Sequence, residues 1–400
     1  MSSRGSSSKG VDDHRSPKAS GSSSLRQEDN RDSQSSVHQR PFDINNFPFT
    51  FEHIHDASHS VRIEADTILT SRDDQSITSS VSAYREENGR TYHAYSDGSW
   101  HYPNDSWELE RLDWQFVCLK RLFVRNDKNY FAPWSKERPP KRILDLGTGT
   151  GMWAIEVAEE FESAIMIGTD LSPVQPELVP PNVHFYIHDA RTNDWWWPDP
   201  FDYVHIRMTL GAWEDFEQDI AHKAFQHMEP DGWFEAQELL PAIRCDDDSM
   251  PADYAPKLLF EDLEDCARRE RRPIDIATTY KQGLINAGFV DVTEQVYKIP
   301  ISGWPKNKNW KTLGDLWNAN CLDGIQGMAM ALLHRVRGLK RHQIEIHLMD
   351  ARRGFADKSV HAYQKFYVVL GRKPRPDEMV TSPSAPAPTP SEASQEEVST

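Results

Sequence analysis

Three carboxylates stand where short apolar runs give way to turns: Asp145 in "RILDLGTGTG", Asp170 in "MIGTDLSP" and Asp189 in "FYIHDA". Behind the first acid, Gly147, Gly149 and Gly151 alternate with other residues. A glycine-rich turn between strand and helix usually lets the backbone approach a nucleotide, because a missing Cβ leaves the ligand room. The dinucleotide fingerprint G-x-G-x-x-G fails here, since Met152 holds the place of its third glycine. No Gly-Lys-Ser/Thr follows, so the phosphate-binding loop of nucleotide triphosphatases fails as well.

Asp145 points the other way. A carboxylate at the end of a first strand repels a pyrophosphate but suits a cationic amino-acid group through a charge-assisted hydrogen bond. S-adenosylmethionine carries such an ammonium beside its sulfonium, and the glycines would let the backbone lie against its methionine and ribose portions. Asp170 is placed for the two ribose hydroxyls, which a two-oxygen acceptor satisfies together. Asp189 is placed to accept from the adenine amino group. The expected cofactor residues are therefore Asp145, Gly147, Gly149, Gly151, Asp170, Leu171, Asp189 and Ala190. A nicotinamide-dependent oxidoreductase is the opposed reading, and Asp145 and Met152 both count against it.

No triad or metal motif accompanies these acids. His205 and Arg207 alternate on one face of a strand, with Val204, Ile206 and Met208 on the other. Arg207 can hold an anionic group and His205 can act as a base. A buried hydrogen-bonded pair explains His205 equally. Glu238, just after the next strand, can orient a substrate or accept a proton, though Glu235 and Glu238 also suit structural bridges. Asp246 to Asp248 read as a solvated turn rather than a metal site, because adjacent carboxylates in a loop diverge. Trp195 to Trp197 read as a plug over a hydrophobic edge, with adenine stacking as the lesser alternative.

The elements that must carry these residues alternate strand and helix from Lys141 onward, the pattern of a parallel sheet. Strands are expected at Arg142–Leu146, Ala164–Thr169, Val183–Ile187, Asp202–Arg207, Trp233–Gln237 and Val290–Ile299, with a last one in "HAYQKFYVVLG". Helices are expected at about 151–161, 215–228, 254–271 and 278–287, and a largely helical stretch at 304–355. Upstream, Asp105 caps a helix in which Leu109, Leu112, Phe116, Leu119 and Phe123 recur at helical spacing.

The chain of 400 residues carries a net charge of -17 and no basic stripe, which disfavours direct nucleic-acid binding. The short run Arg268–Arg272 reads as a solvated helix face. The four cysteines are scattered without a CxxC pair, which fits a reducing compartment. No apolar run is long enough to span a membrane, and the serine-rich start lacks a signal-peptide core. The expectation is a soluble cytoplasmic or nuclear protein. By composition, residues 1–45 form a disordered serine-rich tail and 373–400 a second disordered tail; between them, the pattern of elements divides the chain into an amino-terminal helical region, 46–140, and the cofactor domain, 141–372.

The segments "ILDLGTGTG", "GTDLSP", "VHFYIHDA", "FDYVHIRM" and "PDGWFEAQE" resemble the successive motifs of class I S-adenosylmethionine-dependent methyltransferases. Within that superfamily, "NGRTYHAYSDGSWHYPND", "WPKNKNWKTLG" and "HAYQKFYVVLGRKP" are similar to the fungal LaeA-like methyltransferases, sometimes grouped with the trans-aconitate type. The resemblance spans about residues 84–374. It implies a Rossmann-like α/β fold, a seven-stranded, mostly parallel sheet with an antiparallel last strand, a helical amino-terminal lid and a helical insertion before the last strand. It further implies S-adenosylmethionine bound above the first two strands, and a lid containing Tyr84, Tyr92, Tyr95 and Trp100. The acceptor it leaves open is a small molecule of secondary metabolism, or else protein partners through which a nuclear regulator would act. Two positions depart from the family pattern: Gly211-Ala212 stands for Gly-Ser, and Pro230-Asp231-Gly232 for Pro-Gly-Gly, the latter expected to be a neutral turn change.

Overall fold

The computed structural model describes residues 83–123, 129–193 and 195–379. The expected serine-rich tail and most of the carboxyl-terminal tail lie outside the described residues. Two short strands, β1 (Arg85–Glu87) and β2 (Arg90–Tyr92), make an antiparallel hairpin. Its turn is Asn88-Gly89, with φ of 54° and 79°, the pair of positive values that an Asn-Gly hairpin turn adopts. Helix α1 (Ser106–Leu122) follows, and the Asp105 side chain accepts from Glu108 N as the cap.

The main sheet contains β3 (Arg142–Leu146), β4 (Ile165–Asp170), β5 (Val183–Ile187), β6 (Phe201–Arg207), β7 (Met228–Arg244), β8 (Val290–Pro300) and β9 (Tyr363–Arg372). Their spatial order is β5-β4-β3-β6-β7-β9-β8. The pairs from β5 across to β7 are parallel, and β9 runs antiparallel between β7 and β8. This is the expected seven-stranded sheet with an antiparallel last strand. Helix α2 (Met152–Glu160) follows the glycine loop, and α3 combines a π-helical turn (Glu217–Ala221) with His222–Gln226. Helices α4 (Ala255–Arg269) and α5 (Tyr280–Ala287) lead to β8.

The expected helical insertion consists of α6 (Lys308–Arg337) and α7 (Arg341–Ala356). Gly338, at φ 67°, ends α6 by donating to the His334 carbonyl while Leu339 N returns to Leu333, a left-handed stop that a side chain would disfavour. α6 packs on α1, which explains why α1 buries Glu108, Arg111 and Gln115 as well as its apolar stripe.

Three differences from the sequence expectation have identifiable physical causes. β7 is far longer than Trp233–Gln237, because β9 continues to pair with it beyond its parallel partner; a register shift between Leu240 and Arg244 accommodates Pro241, which has no N–H to give. Residues 373–379, expected in the tail, include a short helix Pro376–Met379 held to the sheet by Arg372–Glu378 bonds. Asp231 is more than a turn substitution: at φ 69° it receives Arg138, Arg372 and Arg375. By contrast, Arg268 and Arg269 pair with Glu264 and Asp265 one turn back on the exposed face of α4.

Candidate functional site

A cleft opens at the carboxyl ends of β3, β4, β5 and β6, where the strand order reverses direction about β3, the place at which open α/β sheets bind ligands. Its floor is the loop from Gly147 to Thr150, and Asp170, Leu171, Asp189 and Ala190 line one side. Helix α1 covers it with Leu109, Leu112 and Phe116, and the segment before α1 adds Trp100 and Tyr102. Of the four residues expected in a lid, Trp100 alone reaches the wall; Tyr92 is buried under the Arg335 guanidinium.

Gly147, Gly149 and Gly151 all have positive φ, at 71°, 59° and 80°. At Gly151 a Cβ would stand 2.5 Å from the Phe185 ring, so space as well as backbone conformation requires glycine there. The loop is fastened from outside by two contacts that the sequence did not signal: Gln175 Nε2 donates to Gly149 O (2.7 Å), and Asn104 Nδ2 reaches Ser172 (3.2 Å) beside it.

Asp170 accepts from Gly149 N (2.9 Å) with one oxygen and from Ser172 N (3.0 Å) with the other. Burial raises its pKa, against those backbone donors. The carboxylate lines the cleft and keeps acceptor capacity for a ligand. Asp189 is gripped by Arg191; burial pushes its pKa up, but the Arg191 bonds outweigh this and hold it below the ordinary value.

Asp145 is placed differently from the sequence expectation. It lies behind the loop, not on the cleft wall, and is 3% exposed. Thr148 Oγ1 donates to one oxygen (2.6 Å) and His205 Nδ1 to the other (2.8 Å). His205 is itself sealed, its ring 3.6 Å from that of Trp153 and nearly parallel to it. Among the described residues its Nε2 has no partner. The strand register explains the pair, because Asp145 and His205 are direct neighbours on β3 and β6.

Arg207 reaches the cleft and lies over the Phe116 ring at 5.0 Å, with no hydrogen-bond partner among the described residues. Burial lowers its pKa to about 10, partly offset by Asp145. A half-buried guanidinium with no hydrogen-bonded anion is a ready site for a carboxylate. Glu238 is fully buried and spends its carboxylate on Thr209 N, Thr209 Oγ1, Tyr280 OH and Leu239 N. It thereby fixes Thr209 and the left-handed Met208 (φ 54°), both on the cleft wall. Ala212, where the family pattern has serine, also lines the cleft. Trp195 and Trp197 are buried in the core cluster and do not line it. Asp246 and Asp247 are exposed, bonded to Tyr363 and His361 respectively.

Glu238 supplies a pH test. Burial lifts its pKa to about 7 despite the donors around it, from an ordinary 4.5. Between those values the folded chain holds a proton that the unfolded chain has released, so this contribution to stability is full at low pH and is lost as pH rises towards 7. Thermal unfolding of wild type against Glu238→Gln is expected to show the wild type losing roughly 3 kcal/mol relative to the variant from pH 5 to pH 8. A constant difference would mean that Glu238 is ionised throughout.

A methyltransferase domain model matches residues 119–294. Methyltransferase pytC of Aspergillus terreus is 31% identical over 315 residues, covering 78% of this chain and 95% of the relative. The secondary metabolism regulator LAE1 of Cochliobolus heterostrophus is 33% identical, covering 72% and 94%. The protein-methionine methyltransferase laeA of Emericella nidulans is 30% identical, covering 73% and 77%. The chain belongs to the LaeA-like class I S-adenosylmethionine-dependent methyltransferases. S-adenosylmethionine is its methyl donor. The cleft has the chemistry for that molecule: glycines leave backbone exposed at the loop, and Asp170, Asp189 and an arginine without a hydrogen-bond partner among the described residues line the same space.

Proposed function

We propose that the cleft binds S-adenosylmethionine along the ends of β3 to β6 and that the protein methylates a small molecule of secondary metabolism. The observation that carries this reading is the meeting of the glycine loop, Asp170 and Asp189 with Arg207 in one cleft. Asp170 takes the ribose hydroxyls, with Leu171 and Ala190 beside the base. Asp189 keeps its Arg191 clamp, which fills Oδ1 and takes part of Oδ2, and meets the adenine amino group through Oδ2. Arg207 takes the carboxylate of the methionine portion. Asp145 is a positioning residue that holds Thr148, and through it the loop, from behind.

When bound, the cofactor supplies a methyl group on a sulfonium that is already an activated leaving group. Neither His205, sealed under Trp153, nor Glu238, committed to four donors, reaches the cleft as a base. Alignment of the acceptor and exclusion of water by α1 and Trp100 are what this chain contributes.

The relatives named as regulators favour a second reading, in which the acceptor is a protein methionine and the protein works through partners. The described residues contain no helix long and apolar enough to cross a membrane, and Cys118, Cys245, Cys266 and Cys321 are unpaired, which suits a reducing cytoplasm or nucleus. Labelled S-adenosylmethionine added with the protein to a cell extract decides between acceptors. Label is expected in the small-molecule fraction and absent from it with Asp170→Ala. Label confined to protein would overturn the small-molecule reading in favour of the second.

A further inference from the structure

A second cavity lies behind the cleft, between α1, α4, α6 and the ends of β6 and β7. It shares Trp100, Tyr102, Leu112, Gln115 and Met208 with the cleft, so the two spaces meet across those side chains. Its volume is about 80 Å³. One water needs ~10–15 Å³ on that measure, so the space by itself holds several waters, and a ring system fits only by extending into the space it shares with the cleft. Most of its wall is apolar, with Phe260, Leu263 and Trp317 facing the shared side chains.

One polar cluster interrupts that wall. Arg111 Nε and Nη2 both donate to Glu108 Oε1, at 2.9 and 2.6 Å. Its Nη1 donates to Gln115 Oε1 (2.7 Å) and Asn320 Oδ1 (2.9 Å). The group is more than nine-tenths buried throughout. Two consequences follow from donor chemistry. The arginine charge is neutralised by Glu108, so the chamber offers no net charge to a ligand. Arg111 has donors only, so it must meet the oxygen of each amide, and this fixes both amide orientations. The NH2 groups of Gln115 and Asn320, like the hydroxyl of Tyr102, then have no partner among the described residues. Donors that line this largely apolar space without a protein partner favour a ligand that brings acceptors.

We infer that this chamber holds the methyl acceptor, and that the acceptor is an uncharged, ring-containing molecule whose carbonyl or hydroxyl oxygen meets the amide donors of Gln115 and Asn320. The inference rests on the cleft being the cofactor site, and it names the substrate class for that site. Gln115 and Asn320 select for the oxygen, and the apolar wall selects for the ring.

The test uses the full chain and 2-naphthol as probe, titrated without cofactor by fluorescence or calorimetry, alongside a separate calorimetric titration of S-adenosylmethionine. Asn320→Leu removes the free amide donor while Arg111 keeps Glu108 and Gln115, and it is expected to weaken 2-naphthol about tenfold. Leu263→Trp fills the chamber at a residue that does not line the cleft, and it is expected to abolish 2-naphthol binding. Both should leave S-adenosylmethionine affinity within about twofold, which also shows that each variant folds. 2-Naphthoate should bind wild type more weakly than 2-naphthol. Failure of 2-naphthol to bind wild type, equal binding in both folded variants, or tighter binding of the naphthoate would each overturn the inference. Failure of wild type to bind S-adenosylmethionine would instead overturn the reading of the cleft on which it rests.

Discussion

Replacing Asp170 by alanine is expected to raise the dissociation constant for S-adenosylmethionine about 100-fold in calorimetry. The carboxylate stands on the cleft wall, one oxygen held by Gly149 N and the other by Ser172 N, with its outer side turned to the ligand space. Two charge-assisted hydrogen bonds to a ribose are together worth about 3 kcal/mol, a factor of ~100 in affinity. Alanine also frees the Gly149 and Ser172 amides, loosening the loop that the ligand must find in place. Asp170→Asn keeps one acceptor oxygen and should lose about tenfold. Unfolding without cofactor separates the two contributions, since a loss of binding larger than any loss of loop order requires direct contact. Changes of less than threefold in both variants would remove Asp170 from the cofactor site.

The second large effect falls on stability. Glu235 is fully buried in β7, and its carboxylate accepts from Phe131 N, Ala132 N, Tyr203 OH and Gln237 Nε2. It is a staple that fixes the backbone of residues 129–132 to the sheet. Asn129 O, in the same segment, accepts from Trp153 Nε1 and Gln237 Nε2. Glu235→Leu leaves several buried donors unmet, each costing about 1–3 kcal/mol, so a loss on the order of 4 kcal/mol is expected. In a folded body of this size that lowers the melting temperature by roughly 5–8 °C. Glu235→Gln retains one oxygen and should fall between. A loss under about 1 kcal/mol for Glu235→Leu would mean that residues 129–132 are held by something else. The role differs from the bridge or substrate contact that a glutamate near a strand end suggests, because its partners are backbone amides from a distant segment.

The same contrast separates what was legible in the sequence from what was not. The seven strands, the glycine loop and the acids at the ends of β4 and β5 could be read from apolar runs and turn residues, since these are fixed by neighbours within a few positions. The length of β7 could not, because it depends on β9 lying beside it. Asp145 was legible as a strand-end acid, but its partners were not: His205 is 60 residues away and reaches it only through the β3–β6 register.

By itself, then, the sequence determined the sheet, the loop whose glycines admit a cofactor and the acids beside it, because local periodicity and backbone conformation are written in adjacent residues. Tertiary structure alone decided which polar groups face ligand and which are consumed inside. Arg111 meets Asn320 across 209 positions, and Phe131 meets Glu235 across 104. Hydrogen bonding saturates, so a carboxylate or amide is free for chemistry only after every partner brought by folding has taken its share.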